Sequence, residues 1–201
     1  LLSQFSIKEN TEKPLIGMIS RLTVQKGIDF LIPCLEKLLS KEQINFILLG
    51  SGETSYEESL QNLQARFPNS FGLKIGYDFE LSHKITAGAD IYVMPSLYEP
   101  CGLNQMYSLK YGTIPVVRAT GGLDDTIESV SLKNKSISGN GFKFSQTSSE
   151  DLISSIEEAL SYYENKKYWN QIIKNAMECD FSWEHQGKEY INLYQSLRDS
   201  K

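Results

Sequence analysis

The chain has 201 residues, a net charge of −5 and 40% hydrophobic residues, with 11 Tyr and 9 Phe, enough apolar material for one α/β domain or a large half of a two-lobed protein. The acidic balance argues against nucleic acid or an anionic membrane surface as a partner but allows a local basic site, and no apolar run is long enough to span a bilayer as a helix. Cys34, Cys101 and Cys179 are widely spaced, which fits neither a disulfide framework nor a zinc site and suits a reducing cytosol.

Residues 1–13 read as a polar linker, with no charged leader followed by an apolar stretch. Buried strands are expected at PLIGMIS (14–20), INFILLG (44–50), FGLKIGY (71–77), DIYVMPS (90–96) and TIPVVRA (113–119), with a weaker sixth at GFKFS (141–145). The inner runs lack clean alternation, as in a parallel sheet covered on both faces. Helical spacing of apolar residues falls between them at 28–40, 55–67, 80–89 and 103–112. Strand–helix alternation of this kind predicts right-handed βαβ units and a doubly wound, Rossmann-like parallel sheet over residues 14–180. The segment 129–141, rich in Ser, Asn, Gly and Lys, is expected as a mobile loop. Three successive helices are expected at 148–165, 166–180 and 182–200, the first starting at Ser148 or Ser149. Trp169 and Trp183 are assigned to packing, and the last segment, 181–201, is set apart as a C-terminal helix.

Ligands of open parallel sheets bind outside the carboxyl ends of the strands. The residues after the strands are therefore the candidates. Arg21 and Lys26 flank a short link and Gly27 opens the next helix; two cations at a helix N-terminus suit an anion, and the same residues also suit a solvated loop. Gly50, Ser51 and Gly52 form a glycine-rich turn that lets a ligand approach the backbone. Thr120, Gly121 and Gly122 could form an anion-binding nest or a plain tight turn. The sharpest signal is Glu99-Pro100-Cys101-Gly102-Leu103. Here Pro100 suits a helix start, and the N–H groups of Cys101, Gly102 and Leu103 would point out as donors beside the Glu99 carboxylate. Donors next to a carboxylate suit a polyhydroxylated ligand such as a sugar. The competing reading makes Glu99 a helix cap and Cys101 a small buried residue; for the thiol that reading is adopted. Tyr77 could stack on a flat base or belong to the core. His83 and His185 stand alone, so no metal site is expected.

RLTVQKG (21–27), Gly76-Tyr77, AGADIYVMPSLYEPCGLNQMYSLKYGTIPVVRATGGLDDTI (87–127) and FSWEHQGKEYINLY (181–194) together resemble the bacterial glycogen synthase and starch synthase family. The resemblance runs from about Pro14 to the C-terminal helix. Many related retaining glycosyltransferases carry a second glutamate eight positions after the first; here Tyr107 stands there, as is usual in the glycogen and starch synthase branch. The resemblance implies a GT-B fold of two Rossmann-like lobes. It also implies retaining transfer of glucose from a nucleotide-glucose, ADP-glucose, to an α-1,4-glucan, with no metal and no cofactor beyond the donor substrate. By motif match, Arg21 and Lys26 would hold the diphosphate and Glu99 would sit by the transferred glucose. Cys101, Gly102 and Leu103 would hold its hydroxyls, Tyr77 would lie against adenine, and Thr120, Gly121 and Gly122 would line the phosphate pocket. The family's N-terminal lobe is missing from these residues. This chain alone is therefore expected to bind nucleotide and turn over little or nothing, with its last helix directed toward that lobe. A UDP-glucose enzyme and a non-catalytic nucleotide- or glucan-binding module are the alternatives. The expected location is the bacterial cytoplasm, or a plastid for a plant protein.

Overall fold

The computed structural model describes residues 1–7 and 13–199. In chain order the elements are β1 (Leu15–Leu22), α1 (Ile28–Ser40), β2 (Asn45–Gly52), α2 (Thr54–Arg66), β3 (Phe71–Ile75) and α3 (Phe79–Gly88). Next come β4 (Ile91–Met94), α4 (Asn104–Tyr111), β5 (Ile114–Arg118) and α5 (Gly121–Thr126). The chain ends with β6 (Ser131–Lys133), β7 (Ser136–Ser138), β8 (Phe142–Phe144), α6 (Ser149–Tyr163), α7 (Lys166–Glu178) and α8 (Trp183–Asp199).

Six strands form one parallel sheet in the order β3-β2-β1-β4-β5-β8. The chain winds outward from β1 through β2 and β3, then returns to the centre and winds the other way from β4. Its switch point therefore lies between β1 and β4, where open α/β sheets leave a crevice. Alternate residues of β2 serve opposite faces. Phe46 and Leu48 join the large core with Leu31, Leu35 and Ile156, while Ile47 and Leu49 join a smaller cluster with Leu81 and Ile85. Both sets are buried, which is why the strand reads as an unbroken apolar run. Ser148 caps α6 by accepting from the Asp151 N–H at 3.2 Å, as its sequence position predicts.

Several local expectations change. Gly50, Ser51 and Gly52 do not form a turn: they continue β2 and pair in register with Ser20, Arg21 and Leu22. The expected loop at 129–141 contains a two-stranded antiparallel ribbon, β6–β7, with Ile137 buried. Its two turn residues, Asn134 and Lys135, both have positive φ (50° and 64°), the type I′ geometry that matches the twist of a hairpin. Helix α4 starts at Asn104 with Leu103 at its N-cap, so Pro100 lies in the preceding loop and Glu99 is not its cap. Trp169 is buried as expected, but Trp183 is 80% exposed and α8 buries none of its residues. Of the linker assigned to 1–13, residues 8–12 lie outside the described residues; Ile7 is buried, and Leu1, Leu2 and Phe5 pack against the smaller cluster.

Candidate functional site

The two strands at the switch point deliver the charged residues. β1 ends in a single 3-10 turn, Val24–Lys26, and the Lys26 ammonium points across to the loop that follows β4. There it donates to Glu99 Oε2, forming an ion pair whose side chains are only 16% and 12% exposed. Ser96 Oγ donates to the same oxygen at 3.0 Å. Among the described residues, Glu99 Oε1 has no protein partner, which leaves the carboxylate one free acceptor edge. Arg21 lies on the same rim, exposed, and its Nη2 donates only to the neutral Gln25 Oε1 at 3.3 Å. No carboxylate pairs with Arg21 among the described residues, so its charge is available to an external anion.

The two loops are stitched together by groups that sequence reasoning did not single out. Gln25 donates from its side-chain Nε2 to Tyr98 O at 2.9 Å, and its backbone carbonyl accepts from Leu97 N–H at 2.8 Å. Arg118, at the end of β5, donates from Nε to Ser96 O at 2.8 Å and from Nη2 to Leu97 O. Asn104 donates from Nδ2 toward Ile19 O (3.2 Å) and the Tyr92 hydroxyl (3.0 Å), tying the start of α4 to β1. Tyr92 is fully buried, and burial pushes its phenol well above the ordinary range, so it stays a neutral hydroxyl in this network. Arg118 and Asn104 both border motifs visible in the sequence, which was the available signal; the carbonyls they bind are set only by the fold.

Thr120, Gly121 and Gly122 are brought against the Glu99–Leu103 loop. The Gly122 N–H donates to Glu99 O at 3.0 Å, so that donor is occupied within the protein. A Cβ on Gly122 would lie 2.0 Å from Cys101 O, and only glycine allows this approach. The N–H groups of Cys101, Gly102 and Leu103 find no acceptor among the described residues. Cys101, expected as a small buried residue, is exposed. Cys34 is the buried thiol, pushed up to about 12 chiefly by desolvation, which makes it inert.

Tyr77 is 87% exposed and stands at the mouth of a cavity of about 170 Å³ that Arg21, Gly50, Ser51 and Asp78 also line. Gly52 lies outside this cavity, its N–H donating to Glu57 Oε1 at 2.9 Å. A second cavity, about 220 Å³, lies between the ends of β1 and β4 and is lined by Arg21, Lys26, Ser96 and Asn104. The crevice thus joins an aromatic edge, an unpaired guanidinium, and a carboxylate beside open N–H donors. That combination suits a ligand with a flat ring, an anionic centre and hydroxyls. His83 Nδ1 lies 3.4 Å from the Tyr111 hydroxyl, and no cluster of His, Cys, Asp and Glu among the described residues could hold a metal.

A parallel sheet with a charged crevice at its switch point is the architecture of a ligand-binding α/β lobe. The family model described as "Glycosyl transferases group 1" matches residues 2–178, and the chain belongs to this family. Among curated relatives it is 45% identical over 199 residues to a glycogen synthase of Koribacter versatilis, covering 98% of this chain and 40% of the relative. It is 46% identical over 187 residues to a glycogen synthase of Kosmotoga olearia, covering 93% and 39%. The fold superposes on the catalytic domain of starch synthase IV from Arabidopsis thaliana, solved with ADP and acarbose. The TM-score is 0.85 at 30% identity, covering 97% of this chain and 41% of that one. The chain therefore spans about 40% of the length of the relatives it matches.

Proposed function

We propose that this chain is the donor-binding lobe of a retaining glucosyltransferase that moves glucose from ADP-glucose to an α-1,4-glucan. The observation that carries the reading is Arg21, Lys26 and Glu99 gathered across the β1–β4 switch point, with Arg21 unpaired. Arg21 and Lys26 hold the diphosphate and offset the negative charge that grows as the nucleoside diphosphate leaves. Glu99 accepts from hydroxyls of the transferred glucose. The N–H groups of Cys101, Gly102 and Leu103 donate to the sugar end, and Tyr77 covers the adenine. The glycogen synthase relatives and the ADP-bound starch synthase neighbour support the choice of donor and acceptor. The exposed apolar side chains of α8, among them Trp183, Ile191, Tyr194 and Leu197, suit packing across to an N-terminal lobe that completes the acceptor site. This lobe alone turns over little or nothing. The bacterial relatives and the free thiols fit work in the cytoplasm.

Calorimetric titration of the chain with ADP and with UDP tests the reading, repeated on Arg21→Ala. ADP is expected to bind in preference to UDP, and Arg21→Ala to weaken it by about tenfold or more, the worth of one charge-assisted contact. Preference for UDP would move the donor to UDP-glucose. Binding of neither nucleotide would remove a preformed site from this lobe.

A further inference from the structure

One buried side chain shapes the Glu99–Leu103 loop from below. Gln105, in the first turn of α4, is fully buried. Its Nε2 lies 3.1 Å from Cys101 O, 3.1 Å from Gly102 O and 3.2 Å from Thr126 Oγ1. Its Oε1 is buried with no hydrogen-bond donor and faces Gly102, where an added Cβ would lie 2.6 Å away. The chemistry fixes which way the amide is turned. Reversed, Oε1 would confront two carbonyl oxygens that can only accept. Gly102 has φ 72°, a conformation open to glycine, and the missing Cβ leaves room for the amide.

The consequence follows from the geometry of the trans peptide, in which C=O and N–H point in opposite directions. Cys101 C=O shares a peptide plane with Gly102 N–H, and Gly102 C=O with Leu103 N–H. Drawing both carbonyls down toward α4 turns both N–H groups away from it. Two planes earlier, the Glu99–Pro100 peptide is held separately: Gly122 N–H binds Glu99 O, and Pro100 has no N–H to offer. Gln105 therefore controls two successive donors, in the loop that follows Glu99, that have no acceptor among the described residues.

We infer that Gln105 is a positioning residue that presets the Gly102 and Leu103 N–H groups to receive the diphosphate-linked sugar end of the donor, as distinct from its nucleoside end. This rests on the donor-site reading above. Gln105 itself does not touch the donor; it acts through the two peptide planes.

Two measurements test it. The first follows the backbone amide resonances of Gly102 and Leu103 in the wild-type chain during titration with ADP-glucose, where both are expected to move downfield. The second compares the affinities for ADP-glucose and AMP by calorimetry in wild type, Gln105→Leu and Gln105→Glu. In Gln105→Leu the ratio of ADP-glucose to AMP affinity is expected to fall about tenfold or more, with the two amide shifts lost. In Gln105→Glu the buried carboxyl holds a proton and one O–H donor as pH falls, so part of the ratio returns at low pH; in Gln105→Leu it does not. Amides that stay still in the wild type while ADP-glucose binds would overturn the inference. So would an unchanged affinity ratio in Gln105→Leu. A wild-type chain that binds neither AMP nor ADP-glucose would instead overturn the donor-site reading, and the inference with it. Should Gln105→Leu fail to fold, the wild-type amide shifts and the pH response of Gln105→Glu still decide.

Discussion

The two ends of the central sheet are built from the same strands and treat their polar groups in opposite ways. At the amino end, polar side chains close the structure on itself. Asp90 Oδ2 accepts from Leu15 N–H at 2.8 Å, and the buried Thr113 hydroxyl lies between the carbonyls of Thr86 and Ala89 at the end of α3. At the carboxyl end, Arg21 lacks an acidic partner, one oxygen of Glu99 is open, and three successive N–H groups have no acceptor among the described residues. Buried polar groups are normally satisfied within the protein. Water can meet the exposed groups at the carboxyl end, but an edge that holds its backbone carbonyls through Arg118, Gln105 and Gly122 while leaving donors and an acceptor facing outward suits an external ligand. The contrast separates polar residues that close the fold from those assigned to the proposed donor site.

The largest expected effect breaks the pair that does both. Lys26→Met leaves a mostly buried Glu99 without its cation and should cost up to about 3 kcal/mol in urea unfolding, since orphaning a buried charge is worse than removing both partners. The double variant Lys26→Met/Glu99→Gln should recover most of that stability, while neither variant binds ADP-glucose as the wild type does. Equal losses in the single and double variants would mean that the pair is held by packing and not by charge. A smaller effect is expected at Gly122. Gly122→Ala forces a methyl group against Cys101 O and should cost about 1–3 kcal/mol while displacing the Cys101–Leu103 loop. Gly187→Ala, inside α8 with no atom within 4 Å of the new methyl, should not destabilise, since Ala is favoured over Gly in a helix interior by up to about 1 kcal/mol. A Gly122→Ala chain as stable as wild type would show that the loop yields easily and is not preset.

How much of this was legible in the sequence depended on whether burial and pairing end at the same residue. The apolar runs marked where each strand is buried, so INFILLG was readable as a strand. β2 goes on pairing through the exposed Ser51 and Gly52, and apolar pattern cannot report hydrogen bonds made by exposed residues. The β6–β7 ribbon was missed for the same reason: its strands are short and mostly exposed, and its turn uses Asn134-Lys135 without a glycine. Helices α7 and α8 make the complementary point. Both carry Trp and Ile at helical spacing, yet α7 buries Trp169 and Ile172 and α8 buries nothing. Amphipathic spacing shows that a face needs a partner and does not show which one. The charged members of the site were legible because their types and their places after strands are visible in one dimension. Arg118 and Gln105 were not, because they act on backbone carbonyls, and every residue carries one of those.

The smallest expected effect lies at the amino end and sharpens the contrast through pH. Burial raises the Asp90 carboxyl above its ordinary value of 3.8, outweighing the opposing help from the Leu15 N–H, Lys166 and the Tyr163 hydroxyl. A carboxyl with a raised folded-state pKa binds its proton more tightly when folded. Its contribution to stability is therefore present at low pH and is lost as pH rises through the folded value. Asp90→Asn keeps an acceptor for the Leu15 N–H and cannot ionise. The stability of the variant relative to wild type, from urea unfolding at about pH 4 through about pH 7, should therefore increase with pH. A difference that stays flat would mean that burial leaves Asp90 unshifted, and one that falls as pH rises would mean that Asp90 is held as a paired carboxylate. The amino end would then carry a charge network of its own and lose its distinction from the carboxyl edge.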